Sequence, residues 1–158
     1  MGYEFNAAEI FEMAEQIERN GAKFYRDAAN QVSDKANKDF LLELAAMEDE
    51  HEKTFSSMKG ELSKKESTPT VFDPEGDAPR YLKALSDTRV FFEKEIDLVS
   101  MKSILKDAVT AEKDSIVFYL GMKDLVPDSQ GKDKIEHIIK EEMKHIRLLS
   151  NKLLHENS

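Results

Sequence analysis

The chain has 158 residues, enough for one domain with a sizeable core, and it carries no cysteine. Disulfides, thiolate nucleophiles, iron–sulfur clusters and thiolate-bound zinc are therefore excluded, and any metal must be held by Glu, Asp or His. A net charge of −9, with 40% hydrophobic and 35% charged residues, leaves no basic stripe for nucleic acid and describes a soluble, helix-rich protein.

Asn6 is a candidate N-cap, and helical periodicity runs from about residue 7 to 31 before a turn at Ser33-Asp34. A second helix is predicted over 35–62. Residues 63–97 form a connection: 63–79, SKKESTPTVFDPEGDAP, holds three of the four prolines, and 80–96 is partly helical and amphipathic. A third helix is predicted over 98–126, ended by Pro127, and a fourth over 132–155 after Gly131. Short turns link the first helix to the second and the third to the fourth. The expected fold is all-α, a four-helix bundle of two helical hairpins joined by a long crossover, which is a ferritin-like connectivity. A single domain spanning 1–158 is expected.

The opening MGYEFNAAEI has neither the basic nor the apolar region of a leader, and no run of about 18 apolar residues occurs. A cytoplasmic location with no membrane contact is the expectation.

Alternating steps of three and four pick out the inward stripe of each helix. The first helix gives Phe11, Ala14, Glu18, Gly21, Tyr25, Ala28 and Val32; the second gives Leu41, Leu44, Glu48, His51, Phe55 and Met58. The third gives Leu98, Met101, Leu105, Ala108, Glu112, Ser115, Tyr119, Met122 and Val126; the fourth gives Ile135, Ile138, Glu142, His145 and Leu149. Each stripe is apolar at both ends with a Glu near its middle, and two add a His one turn later. Buried carboxylates are tolerated only when paired or bound to metal, so something cationic must sit among these four.

The pattern Glu, five residues, Phe-Tyr, twenty-two residues, Glu-x-x-His occurs twice, with every member offset by 94 residues: Glu18, Phe24-Tyr25, Glu48, His51, then Glu112, Phe118-Tyr119, Glu142, His145. The hairpins read as copies of one unit, each supplying half of a pseudo-symmetric site. Two Glu-x-x-His helices plus one Glu from each of the others is the ligand set of dimetal carboxylate bundles. Residues three apart share a helix face, so the Glu and His of each motif reach one metal. Oxygen donors with one imidazole per ion suit iron or manganese, and zinc also binds such a set. Four carboxylates balance two divalent ions, and a pair of irons there is suited to oxygen or peroxide.

These motifs resemble the rubrerythrin-like branch of the ferritin-like di-iron proteins, over about 110 residues covering both hairpins. The resemblance implies two iron ions, with Glu48 and Glu142 bridging, Glu18 and Glu112 terminal, and His51 and His145 each on one ion. It makes Tyr25 and Tyr119 the candidate catalytic residues, their hydroxyls pointing back toward the site. Rubrerythrins proper carry a second Glu three residues after the helix-three ligand; here that position is Ser115. They also carry a Cys-rich rubredoxin domain, so a cysteine-free chain implies an external donor, rubredoxin-like or similar. The expected function is a di-iron peroxidase or oxidase reducing hydrogen peroxide or dioxygen; the alternatives are a ferroxidase handling iron and a non-enzymatic metal-binding bundle. A homodimer is expected, and the long crossover allows it to form by exchange of hairpins.

Other polar residues are read as surface: His137 and His155 lack a Glu three residues before them, and Glu50, Glu52 and Glu141 belong to a solvated face that pairs with lysines. The seven methionines share no spacing and read as core filler.

Overall fold

The computed structural model describes residues 7–65, 100–126 and 131–156. Four helices make up the described residues: α1 (Ala7–Gln31), α2 (Lys35–Lys65), α3 (Met101–Leu125) and α4 (Lys132–His155), with no strand among them. The amphipathic stretch expected at 80–96, Leu98, Asn6, Pro127 and the connection from 66 onward lie outside the described residues.

The helix ends have local causes. Asp34 starts α2 by accepting the Asn37 amide on Oδ2 at 3.0 Å, the bond that satisfies an otherwise orphaned first-turn donor. Nothing in Ser63-Lys64-Lys65 breaks a helix, and α2 runs to Lys65 rather than stopping at 62. α3 begins at Met101 rather than 98 because Ser100 is extended and its hydroxyl accepts the Ser103 amide at 3.2 Å. Val126, which precedes a proline, leaves the helix with φ −93° and ψ 125°. α4 places Asp133 in its first turn and Lys152 and His155 in its last, both favourable to the helix dipole.

α1 packs along α2 and α3 along α4, and the hairpins meet with α1 against α3 and α2 against α4. Tyr119 bonds back to Glu18 while Tyr25 bonds to Glu112, so α1 and α3 run antiparallel. His51 meets Glu142 and His145 meets Glu48, so α2 and α4 do too. The start of α3 lies beside the α1–α2 turn, sharing a small surface cleft with Val32 and Asp34. α2 therefore ends at the opposite end of a bundle roughly 37 Å long, 25 residues at about 1.5 Å each. This is the expected ferritin-like connectivity.

The predicted stripes are the core. Every described stripe residue is buried except Val32 and Met101, which pack partly exposed against its rim. Phe55 links the hairpins, its ring 6.5 Å from Phe11 and 5.2 Å from Tyr119. The repeated Phe-Tyr pairs adopt the same edge-to-face geometry in both halves, at 5.5 Å for Phe24–Tyr25 and 5.9 Å for Phe118–Tyr119. No described helix is long and apolar enough to cross a membrane.

Gly131 caps α4 with φ 103°, a left-handed backbone that other L-residues adopt only with strain. A Cβ there would stand 2.6 Å from the Met58 methyl, but that methyl ends a flexible side chain and can move. Gly131→Ala is expected to cost about 1–2 kcal/mol in denaturant unfolding, from the backbone alone. A Met58→Ala background should leave that cost unchanged; full rescue would put its origin in the side-chain contact.

Candidate metal centre

Six side chains from four helices converge at mid-bundle: Glu18 from α1, Glu48 and His51 from α2, Glu112 from α3, Glu142 and His145 from α4. All are buried to within 3% of completely. Helical spacing sets the convergence, since Glu48 and His51, like Glu142 and His145, stand one turn apart on the inward face. Two groups of four have ligand atoms within 4.8 Å of one another: Glu18, Glu48, His51 and Glu142, and Glu48, Glu112, Glu142 and His145. Glu48 and Glu142 belong to both groups. The two imidazoles lie 5.8 Å apart and nearly parallel, at 18°.

Both histidines turn Nδ1 inward. His51 Nδ1 lies 2.7 Å from Glu142 Oε1 and 3.6 Å from oxygens of Glu18 and Glu48. His145 Nδ1 lies 3.3 Å from Glu142, 3.5 Å from Glu112 and 3.6 Å from Glu48. The tyrosines cross between hairpins: Tyr25 donates to Glu112 Oε1 at 2.7 Å and Tyr119 to Glu18 Oε1 at 2.6 Å. Each phenol thus holds the helix-borne Glu of the opposite half.

The donor set fits a divalent cation. Glu18 Oε2, Glu48 Oε1, Glu112 Oε2, Glu142 Oε2 and His145 Nδ1 are buried without a hydrogen-bond partner among the described residues. Leaving so many acceptors unmatched is costly, and a cation among them matches several at once. A fifth buried carboxylate shows the ordinary solution: Glu15 is met by Lys59 Nζ at 2.7 Å and by the Ser56 hydroxyl at 3.2 Å. Among the described residues the central four have only histidines as cationic partners.

The structure brings the six residues singled out by sequence spacing together, and it places two of their neighbours differently from that reading. Glu141, expected on the lysine-paired face, puts Oε2 2.6 Å from His51 Nε2 and Oε1 2.5 Å from His137 Nε2. Met47, expected as core filler, is partly exposed with Sδ 3.1 Å from His145 Nε2. A signal was present: Met47 and Glu141 share the 94-residue offset and each immediately precedes a central Glu.

A family model for rubrerythrin matches residues 9–153. The chain belongs to the rubrerythrin family. The fold is also that of a crystal structure of a ferritin-like diiron-carboxylate protein from Thermotoga maritima, with a TM-score of 0.71 and 22% identity over 99% of this chain and 100% of that one. No protein with a curated description matches the sequence. The buried carboxylate–histidine cluster of this rubrerythrin-family bundle offers the ligand types that could hold a metal ion.

Crowding the carboxylates shifts their protonation. Burial, reinforced by the neighbouring glutamates, pushes Glu48 and Glu142 well above the usual carboxylate range. Burial also raises Glu112, but its bonds to Glu142 and His145 outweigh that and bring it down to about 2. Burial opposes charge on the histidines, yet the facing carboxylates of Glu142 and Glu18 push His51 up to about 12, and those of Glu112 and Glu142 push His145 up to about 10. Protonated imidazoles are thus the cations of the metal-free protein.

A pKa raised on folding adds stability that is complete below the unfolded value and lost as pH rises through the folded one. The window runs from 6.5 to about 12 for His51 and from 6.5 to about 10 for His145. Glu48 and Glu142 act with the same sign from 4.5 upward, whereas Glu112 acts oppositely and only below 4.5. The Tm of chelator-treated protein should therefore fall between pH 6 and 9, at roughly 2–4 °C per kcal/mol lost. Protein loaded with a divalent metal should melt higher, with a flatter profile, because the ion binds only the folded bundle and takes the place of the protons. Melting curves with and without chelator check both, and identical curves would show that the cluster holds no cation.

Proposed function

We propose that this chain is a di-iron oxidoreductase that reduces hydrogen peroxide or dioxygen with electrons from an external donor. The observation that supports it most is the pair of four-residue groups sharing Glu48 and Glu142. In this reading Glu48 and Glu142 would be shared by two ions, Glu18 and Glu112 would each serve one of them, and His51 and His145 would each hold one ion through Nδ1. Two oxygen-rich half-sites with one imidazole each suit iron, with manganese and zinc as competitors for the same donors. A ferrous pair supplies the two electrons that, with two protons, convert hydrogen peroxide to two waters.

The residues around the cluster serve that chemistry in distinct ways. Tyr25 and Tyr119 fix Glu112 and Glu18 by hydrogen bonds. Burial, with the nearby carboxylates, raises both phenols well above 10.0, so each stays a proton donor through the neutral range. Gly21 and Ser115 lie one turn beyond Glu18 and Glu112 and are buried, small enough to leave room for a diatomic ligand. The Ser115 hydroxyl donates to the Ala111 carbonyl at 3.0 Å. Ser115 offers no carboxylate, so no ligand exchange through a second helix-three Glu belongs to this mechanism. In this reading the electrons come from an external carrier, rubredoxin-like or similar.

Anaerobic reconstitution with Fe(II), then stopped-flow mixing with peroxide or dioxygen, tests the reading. Two irons per chain and oxidation faster than that of free Fe(II) are expected. Glu48→Ala and Glu142→Ala should lose stoichiometric iron, while Tyr25→Phe and Tyr119→Phe should keep it and react about 10- to 100-fold more slowly. Peroxide and dioxygen that oxidise the bound iron no faster than free Fe(II) would sink the reductase reading.

A further inference from the structure

The two halves of the cluster share their inner ligands but differ behind the histidines. His51 Nε2 faces Glu141 Oε2 at 2.6 Å, and the other oxygen of that carboxylate meets His137 at 2.5 Å. Among the described residues His145 Nε2 faces only a thioether, Met47 Sδ at 3.1 Å. Glu141 and Met47 occupy the same register position, and each stands behind the histidine of the opposite hairpin: α4 supports the His51 ring and α2 the His145 ring. At this register position the two halves thus differ, with a carboxylate on one side and a thioether on the other.

That difference has a chemical consequence. A carboxylate accepting the Nε2 proton fixes the tautomer with the Nδ1 lone pair turned inward and makes the imidazole a better donor. Thioether sulfur is a weak acceptor and does neither well. A cleft of about 580 Å³ opens beside His51, its acidic Glu50, Asp133 and Glu141 set against Lys53 and Lys134.

We propose that Glu141 is a positioning residue that makes the centre inequivalent, so that the ion held through His51 is bound first and more tightly than the ion held through His145. The inference rests on the dimetal reading above and adds an order to it.

The test is anaerobic titration of the metal-free protein with Fe(II), and in parallel with Co(II), followed by calorimetry, with metal-free melting curves to confirm that each variant folds. Wild-type protein should bind two ions in resolved steps. Glu141→Ala should weaken the tighter step by about 10- to 100-fold and leave the other in place. Glu141→Gln, which keeps an oxygen acceptor without the charge, should fall between. Met47→Leu should move neither step, and Met47→Glu, which gives His145 the same partner, should strengthen the weaker one and draw the two together. Two steps of equal affinity in the wild type, or an equal shift of both in Glu141→Ala, would overturn this inference while leaving the dimetal reading intact. Failure of the wild type to bind either metal would overturn both.

Discussion

Four carboxylates, Glu18, Glu48, Glu112 and Glu142, meet in the middle of the bundle, and among the described residues no lysine or arginine pairs with them. Their mutual repulsion in a dry interior is the constraint that the surrounding structure answers. Two histidines bring positive charge from within the cluster, two phenols donate to the terminal carboxylates, and the remaining oxygens stay open to a cation. The apolar layers above and below, with Phe55 between Phe11 and Tyr119, keep water away and so raise the strength of every one of these interactions. Without a cation protons must take that role, so protonation and metal binding would compete at such a site.

The antiparallel pairing of α1 with α3 and α2 with α4 turns a short sequence motif into a three-dimensional site. Because each hairpin contributes a Glu, a Tyr and a Glu-x-x-His unit in the same order, opposing the hairpins places each Tyr against the other half's Glu. Neither hairpin encloses the centre alone. Docking of the halves and convergence of the six side chains are therefore one event, and an ion bound among them would stabilise the tertiary contact between hairpins more than either hairpin itself.

Much of this was legible in the sequence, and the reasons are physical. A buried charged residue interrupts an apolar stripe visibly, so Glu18, Glu48, Glu112 and Glu142 declared themselves, and the 94-residue repeat joined them into one site. Helix four was bounded by Gly131, and helix two was overrun by α2 only where no breaker stood. What stayed hidden were contacts formed across the bundle by residues on the edge of a stripe. Glu141 sits beside the inward face, where periodicity assigns it to solvent, and only the approach of α2 shows that it supports His51. Met47 was hidden for the same reason, and Glu15 needed Lys59 from another helix to explain its burial. An apolar stripe marks the side chains that point inward, not those that lean in from the rim.

The joining of two like hairpins in one chain has its own consequence. A site assembled from two identical hairpins could change only on both sides at once, since every substitution would appear twice. Fused in tandem, the halves can diverge singly while the shared Glu48 and Glu142 keep them registered. Positions 47 and 141 are such a divergence, a thioether on one side and a carboxylate on the other. The crossover thus does more than connect the hairpins: it gives an inherited symmetry the freedom to be broken one residue at a time.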